Sequence, residues 1–407
     1  MVHPRTTASI WQAPPDSAPD VVFVVRGRNP NAHPGVVAGL ETLVGEGVLR
    51  GATTVALGDD SDVRPGISSW HRVFEEVRER DSEYVVLHHF HSRRLPDARP
   101  ALEQLRGLPS RPLIALTCGD AFYNGLFFRP AFPPMFLQAA QLSDVVFLTS
   151  MGDVADLVQQ KVERPVALLP LGACQVRFGK AGRPVLTRPD FKVVFIGSNN
   201  RPRNPAKGYH WYARKRERLV RALSQRFGED FGLFGYGWHG VPGWRGPIPF
   251  SEQEAVCRQS AVVVGGVPFS PARYYLSNRP FNQILSGTPF VDMYVEGVDT
   301  LLRDGEHWHL APTIADVVER CEEVLGLTPD ERHELGVAAS SFVAERHTDA
   351  ARCRSLIATL MAVRQAGSGE DVWPAPDLSF FLPEVDPVAE LPRATRGWRL
   401  SAAAGSS

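Results

Sequence analysis

Ser277, Asn278 and Arg279 form a donor-rich run directly ahead of Pro280. Proline suits the first turn of a helix, where its missing N–H sacrifices no hydrogen bond. The run therefore predicts a helix start with Asn278 or Arg279 at the N-cap. Free backbone N–H groups, an arginine and two small polar side chains at such a start make an anion site. A diphosphate is the anion these groups suit. Asn282 follows one turn later. Its amide either reaches a ribose hydroxyl or fills a buried polar position.

Further chemistry-bearing residues stand where apolar runs end. Gly197, Ser198 and Asn199 follow Phe191–Ile196, and a glycine there lets a ligand approach the backbone. Arg201, Arg203 and Lys207 lie just behind, as diphosphate neutralisers or as a solvated basic loop. Gly235, Tyr236, Gly237 and Trp238 follow another short run. They read as a tight turn whose aromatic residues border a nucleobase, or as a turn beside a core tryptophan. In the first half of the chain, His88 ends one apolar run, His89 and His91 follow it, and Asp120 follows another. A group of this kind can take the proton of an acceptor hydroxyl. Asp59, Asp60 and Asp62 resemble a metal-binding DxD, but with no neighbouring ligands they read as a solvated loop, and no metal site is assigned. Phosphate-loop, HExxH and GxSxG motifs are absent. No GxGxxG follows the first apolar run, which weakens a dinucleotide oxidoreductase.

The elements that must carry these residues follow from patterning. Apolar runs at Val21–Val25, Thr53–Leu57, Tyr84–His88, Pro112–Thr117, Asp144–Leu148 and Val166–Leu169 do not alternate with polar residues. Helical segments separate several of them. That pattern predicts a parallel sheet covered on both faces, which binds ligands beyond the carboxyl ends of its strands. After a Pro- and charge-rich stretch the pattern restarts at Phe191–Ile196. Ser251 and Glu254 read as a capping box. The expected organisation is a flexible N-terminus (1–19), an acceptor domain (20–180) and a linker (181–190). A donor domain (191–347), a C-terminal helix crossing back to the first domain (348–365) and an extended or disordered tail (366–407) complete it. The fold class is α/β, with two Rossmann-like domains facing a cleft.

Bulk composition narrows the function classes. The 407 residues carry a net charge of −1, which gives no global pull toward nucleic acid or anionic membranes. Five scattered cysteines without a CxxC pair suit reduced thiols. Residues 1–19 lack the apolar core of a secretory signal, and no run is long enough to span a bilayer. The expected compartment is the cytoplasm.

The second half also resembles a known family. VVFIGS, a basic helix, FGYGW, YYLSNRPFNQILSGTPFV, LLRDGEHWHL and ERHTDAARCRSLIATL occur in one order over residues 191–362. This series is similar to that of the glycosyltransferases related to spore-maturation protein CgeB, GT-B enzymes with a group 1-like catalytic domain. LPLGACQVRF resembles the family's interdomain crossing. The resemblance implies nucleotide-sugar binding at Gly197, Ser198, Gly237, Trp238, Ser277 and Arg279. The chain departs from the family at Asn282, where many relatives carry Glu, and at Tyr275, where related enzymes often carry another acid.

The expectation is a metal-independent GT-B glycosyltransferase with no tightly bound cofactor. Its partners are a nucleotide-diphosphate sugar and a small-molecule or glycan acceptor. A DNA acceptor is disfavoured by the net charge. Asp120 or His89 would serve as base. The diphosphate would meet Gly197, Ser198, Asn199, Arg201, Ser277, Asn278 and Arg279; the nucleoside would meet Tyr236, Gly237, Trp238 and Asn282. A nucleotide-sugar epimerase or phosphorylase, or a non-catalytic sugar-nucleotide binder, are the alternatives.

Overall fold

Apolar runs without alternation become strands buried on both faces, and two sets of them build two sheets. The computed structural model describes residues 7–11, 18–27, 29, 32–57, 69–89, 98–119, 132–162, 164–179, 184–266, 272–366, 373–374, 376–386 and 398–399. The first sheet contains β1 (Thr7–Trp11), β2 (Asp20–Arg26), β3 (Gly51–Leu57), β4 (Tyr84–His88), β5 (Leu113–Cys118), β6 (Val145–Leu148) and β7 (Val166–Leu168). Their order is β1-β3-β2-β4-β5-β6-β7. All pairs are parallel except β1 with β3. Helices α1 (Pro34–Gly45), α2 (Ser69–Arg80), α3 (Arg99–Arg106), α4 (Pro134–Leu142) and α5 (Asp153–Val162) connect them.

The second sheet is wholly parallel. It contains β8 (Phe191–Ile196), β9 (Phe231–Phe234), β10 (Ser260–Val264), β11 (Phe290–Met293) and β12 (His309–Ala311), in the order β12-β11-β10-β8-β9. Its helices are α6 (Gly208–Phe227), α7 (Gln253–Arg258), α8 (Asn278–Leu285), α9 (Ile314–Gly326) and α10 (Pro329–Arg346). The chain leaves β8 in one direction for β9 and in the other for β10. That reversal opens a crevice at the carboxyl ends of β8 and β10, and β2 with β4 repeats it in the first sheet.

A last helix, α11 (Asp349–Ala366), packs on α1 of the first unit, with Ala350 against Gly39. The chain thus crosses between the units twice, and the two crossings bind each other. Ala173 N–H donates to the His347 carbonyl (2.7 Å), and Asp349 N–H donates to the Ala173 carbonyl (2.8 Å).

Several expectations need correction. Residues 7–11, placed in a flexible N-terminus, form edge strand β1 with Thr7 opposite Val55. Residues 376–386, placed in the tail, pack down through Leu378, Phe380, Phe381 and Leu382. Four large apolar side chains in LSFFL supply the burial that a solvated tail lacks. No side-chain cap forms at Ser251: a 3-10 turn (Phe250–Glu252) precedes α7, and Glu254 is buried. Capping boxes occur instead at Thr313 with Asp316 and Thr328 with Glu331. Helices α3 and α4 and strand β12 were not anticipated, each being short.

Candidate active site

Two turns meet at the carboxyl ends of β8 and β9. Gly197 N–H donates to the Phe234 carbonyl (2.8 Å) and Asn199 N–H to the Tyr236 carbonyl (2.8 Å). Tyr236 N–H donates to Ser198 Oγ (3.2 Å). The glycines serve this contact. Gly235 has φ +133°, and a β-carbon there would collide with the Gly197 carbonyl. A β-carbon at Gly237, φ +80°, would stand 2.8 Å from the Asn199 carbonyl oxygen. The Gly-Tyr-Gly-Trp turn is therefore shaped by a neighbouring turn of the same chain.

Trp238 departs from its expected place beside a nucleobase. It is 1% exposed, lies edge-on to Phe195, and its Nε1–H donates to the Gly197 carbonyl (2.6 Å). The indole holds the first turn in place from below. Tyr236, 69% exposed, is the aromatic residue of that turn that faces outward.

Arg279 enters from the first turn of α8, whose N-cap is Ser277 rather than Asn278 or Arg279. Its Nη1 would lie 2.9 Å from a β-carbon at Gly197 and 2.8 Å from one at Gly266. The guanidinium thus sits between the turns that follow β8 and β10, at the sheet's crevice. Arg216 reaches the same place from α6. Its Nη1 donates to the Ser198 carbonyl (3.2 Å) and to Tyr209 Oη (3.3 Å). Its Nε is buried without a hydrogen-bond partner among the described residues. Asp292, a buried acid on β11, lies against Gly265 and accepts from Met293 N–H (2.7 Å). Burial pushes the Asp292 carboxyl up to about 8, against the pull of Arg279 and Arg216. Burial, then repulsion from Arg216, pushes Arg279 down to about 10. Two guanidinium groups face one acid that resists ionisation. The excess of positive charge, beside the N-terminus of α8, suits an anion.

Two other expected ligands are engaged elsewhere. Arg201 is on the surface and donates to Glu217 (2.6 Å). Asn282, assigned to the nucleoside, is buried and accepts from Cys174 N–H (2.8 Å). It ties α8 to the first interdomain crossing. Ser277 makes no side-chain cap bond, and Asn278 is exposed.

Across from this site a cavity of about 270 Å³ opens at the carboxyl ends of β2, β4 and β5. His33, His88, His89, Thr117, Asp349 and Arg352 contribute polar groups to its wall, and Asn278 joins from the second unit. His89 has φ +55° and donates its N–H to Thr117 Oγ1 (3.1 Å). The His88 and His89 rings stand 4.1 Å apart. Burial, then the neighbouring imidazoles, pushes His88 far below the usual histidine range. Burial also raises the Asp349 carboxyl to about 7, with Arg352 and Arg177 opposing it. Asp120, His91, Asp59, Asp60 and Asp62 lie outside the described residues.

The sequence reading did not single out Arg216, Asp292 or Asp349. Asp292 carried a signal, being the one acid inside the apolar run PFVDM. Arg216 carried none, because it is one of many cations along its helix.

Residues 214–358 match the family described as Glycosyl transferase-like. No curated protein matches the chain. Among solved structures, sucrose-phosphate synthase from Thermosynechococcus elongatus is similar with a TM-score of 0.53 at 14% identity. That match covers 84% of this chain and 99% of the other. Trehalose 6-phosphate synthase from Burkholderia multivorans gives 0.50 at 12%, covering 86% and 100%. The Anabaena protein HepE, solved with UDP and glucose, gives 0.50 at 12%, covering 84% and 99%. The chain has the GT-B fold of glycosyltransferases. Its glycosyltransferase-like region begins within α6 and ends within α11, so it includes Arg216, Arg279 and Asp292.

Proposed function

We propose that this protein transfers a sugar, a hexose or pentose, from a nucleotide-diphosphate sugar to an acceptor hydroxyl. The observation that carries this reading is the Arg216–Arg279 pair at the β8/β10 crevice, beside the Gly197–Ser198 turn and α8. In the reaction the bond from the anomeric carbon to the diphosphate oxygen breaks, and the acceptor oxygen takes its place. Negative charge grows on the departing diphosphate. Fixed guanidinium groups in a partly desolvated crevice stabilise that charge, which supports a metal-independent mechanism. The acceptor proton must leave as the new bond forms. His89, in the facing cavity, and Asp120 are the groups we assign to receive it.

The acceptor would occupy the His89 cavity, next to Asn278. Its class is a secondary metabolite, a glycan or a modified biopolymer. The UDP and glucose found with the Anabaena protein support a uridine nucleotide as the first donor to try. All five cysteines are buried and none joins a disulfide among the described residues, in keeping with a cytoplasmic setting. No helix among the described residues is long and apolar enough to cross a membrane.

The test is a thermal-shift screen of nucleotide sugars followed by product analysis. We expect one donor class to raise the melting temperature, since ligand binding stabilises the folded state. Free nucleoside diphosphate should then accumulate in step with glycosylated acceptor. A sugar-1-phosphate product would instead indicate a phosphorylase, and an altered nucleotide sugar an epimerase. The alternative on the same crevice is a non-catalytic nucleotide-sugar binder. Donor binding without turnover over a broad acceptor panel would select it.

A further inference from the structure

Residues 201–226 hold nine Lys or Arg and a single acid, Glu217, in a chain of net charge −1. Glu217 is taken by Arg201 and Arg221, and Arg226 pairs with Glu322. Arg216 turns inward to the anion site. Arg203, Lys207, Arg214, Lys215 and Arg218 are left with no carboxylate partner among the described residues.

Helical spacing sorts these residues. Trp211, Arg214, Lys215 and Arg218 stand at i, i+3, i+4 and i+7, so they share one face of α6. All four are exposed. Trp211 is 45% exposed, and the Arg214 guanidinium lies over its ring at 5.6 Å. Trp211 falls in the first turn of α6, on the side of the sheet where the crevice opens.

We propose that this face docks the protein on an anionic lipid surface. Unpaired cations are drawn to acidic headgroups, at roughly fivefold in affinity for each side chain near the surface. An indole among them settles at headgroup depth, its apolar body inward and its N–H wet. The same face is poorly made for nucleic acid. Between Trp211 and Arg218 no Asn or Gln accompanies the cations to read adenine edges. It also presents one aromatic ring, where single strands stack on several. The proposal does not rest on the sugar-transfer reading, because it uses the outward face of α6 alone.

The experiment is co-sedimentation of the full chain with vesicles of phosphatidylglycerol mixed with phosphatidylcholine. Vesicles of phosphatidylcholine alone and duplex or single-stranded nucleic acid are the controls. We expect binding to the anionic vesicles only, falling as salt is raised. The R214E/R218E variant should bind at least about tenfold more weakly, with an unchanged melting temperature. W211A should lose several-fold. If R214E/R218E unfolds, K215E, on the same face, carries the same test with an expected loss of severalfold. The proposal is overturned by equal binding to neutral vesicles, by no binding to either, or by unchanged binding of a folded charge-reversal variant. Preferential binding to nucleic acid also overturns it.

Discussion

Arg279 and Arg216 carry the first prediction, and it belongs to single side chains. Each offers charge-assisted hydrogen bonds to a diphosphate, worth about 1.5–3 kcal/mol apiece. Arg279→Ala should therefore weaken nucleotide-diphosphate binding roughly 10- to 150-fold by calorimetry. Arg279→Lys should recover only part, because a point charge cannot replace the guanidinium fork. Unchanged affinity in Arg279→Ala would remove the anion site from this crevice. A second residue-scale prediction concerns Asp20, which is buried, accepts from Ser82 Oγ (2.6 Å) and has no hydrogen-bond partner at Oδ2 among the described residues. Burial raises its folded pKa to about 6. Between about 4 and 6 the unfolded chain ionises while the folded one keeps its proton, so ionisation erodes stability as pH rises. Asp20→Asn escapes that loss. Its advantage over the parent should grow from near zero at pH 4 to about 2–3 kcal/mol above pH 6.5. Denaturant melts at several pH values check it, and a pH-independent difference would contradict it.

At the scale of elements, the two zipped turns matter more than any residue they display. Trp238 donates to the Gly197 carbonyl and so holds the β8 turn against the β9 turn. Trp238→Phe keeps most of the buried volume but deletes that donor. It should cost about 1 kcal/mol in urea unfolding. It should also lower nucleotide affinity a few-fold, although the side chain is out of a ligand's reach. Unchanged affinity would separate the turn from binding. This is also where the sequence misled. Glycines packed against a neighbouring turn and glycines packed against a ligand look alike in one dimension. Asn282 shows the same limit: its partner, Cys174, is 108 residues away and belongs to a crossing that only the fold brings near.

For the whole molecule, the paired crossings set how the two units sit. Gly172 allows them to touch, since a β-carbon there would stand 2.6 Å from Asp349 N and from the Thr348 carbonyl group. Gly172→Ala must push the crossings apart. We expect a loss of about 1–3 kcal/mol in stability and weaker coupling between the units. A wild-type urea midpoint would show that the crossings yield at no cost. α11 belongs to this scale too. It follows the second unit in sequence yet covers α1 of the first, and it brings Asp349 and Arg352 to the cavity beside His89.

By itself, the sequence determined the layered plan. Unalternating apolar runs broken by helices admit little besides parallel sheets, and their restart at Phe191 marked a second unit. Ser277–Arg279 ahead of Pro280 marked a helix start with donors. These features are local, set by backbone preference and by the period of burial. The tertiary structure alone decided which charges converge. Arg216 joined Arg279 from a helix with eight other cations in its neighbourhood, and Asp292 came from a strand end. Arg201 went to Glu217, and Trp238 went into the core. Distance along the chain says nothing about these meetings, because a crevice at strand ends collects side chains from segments that only sheet order makes adjacent.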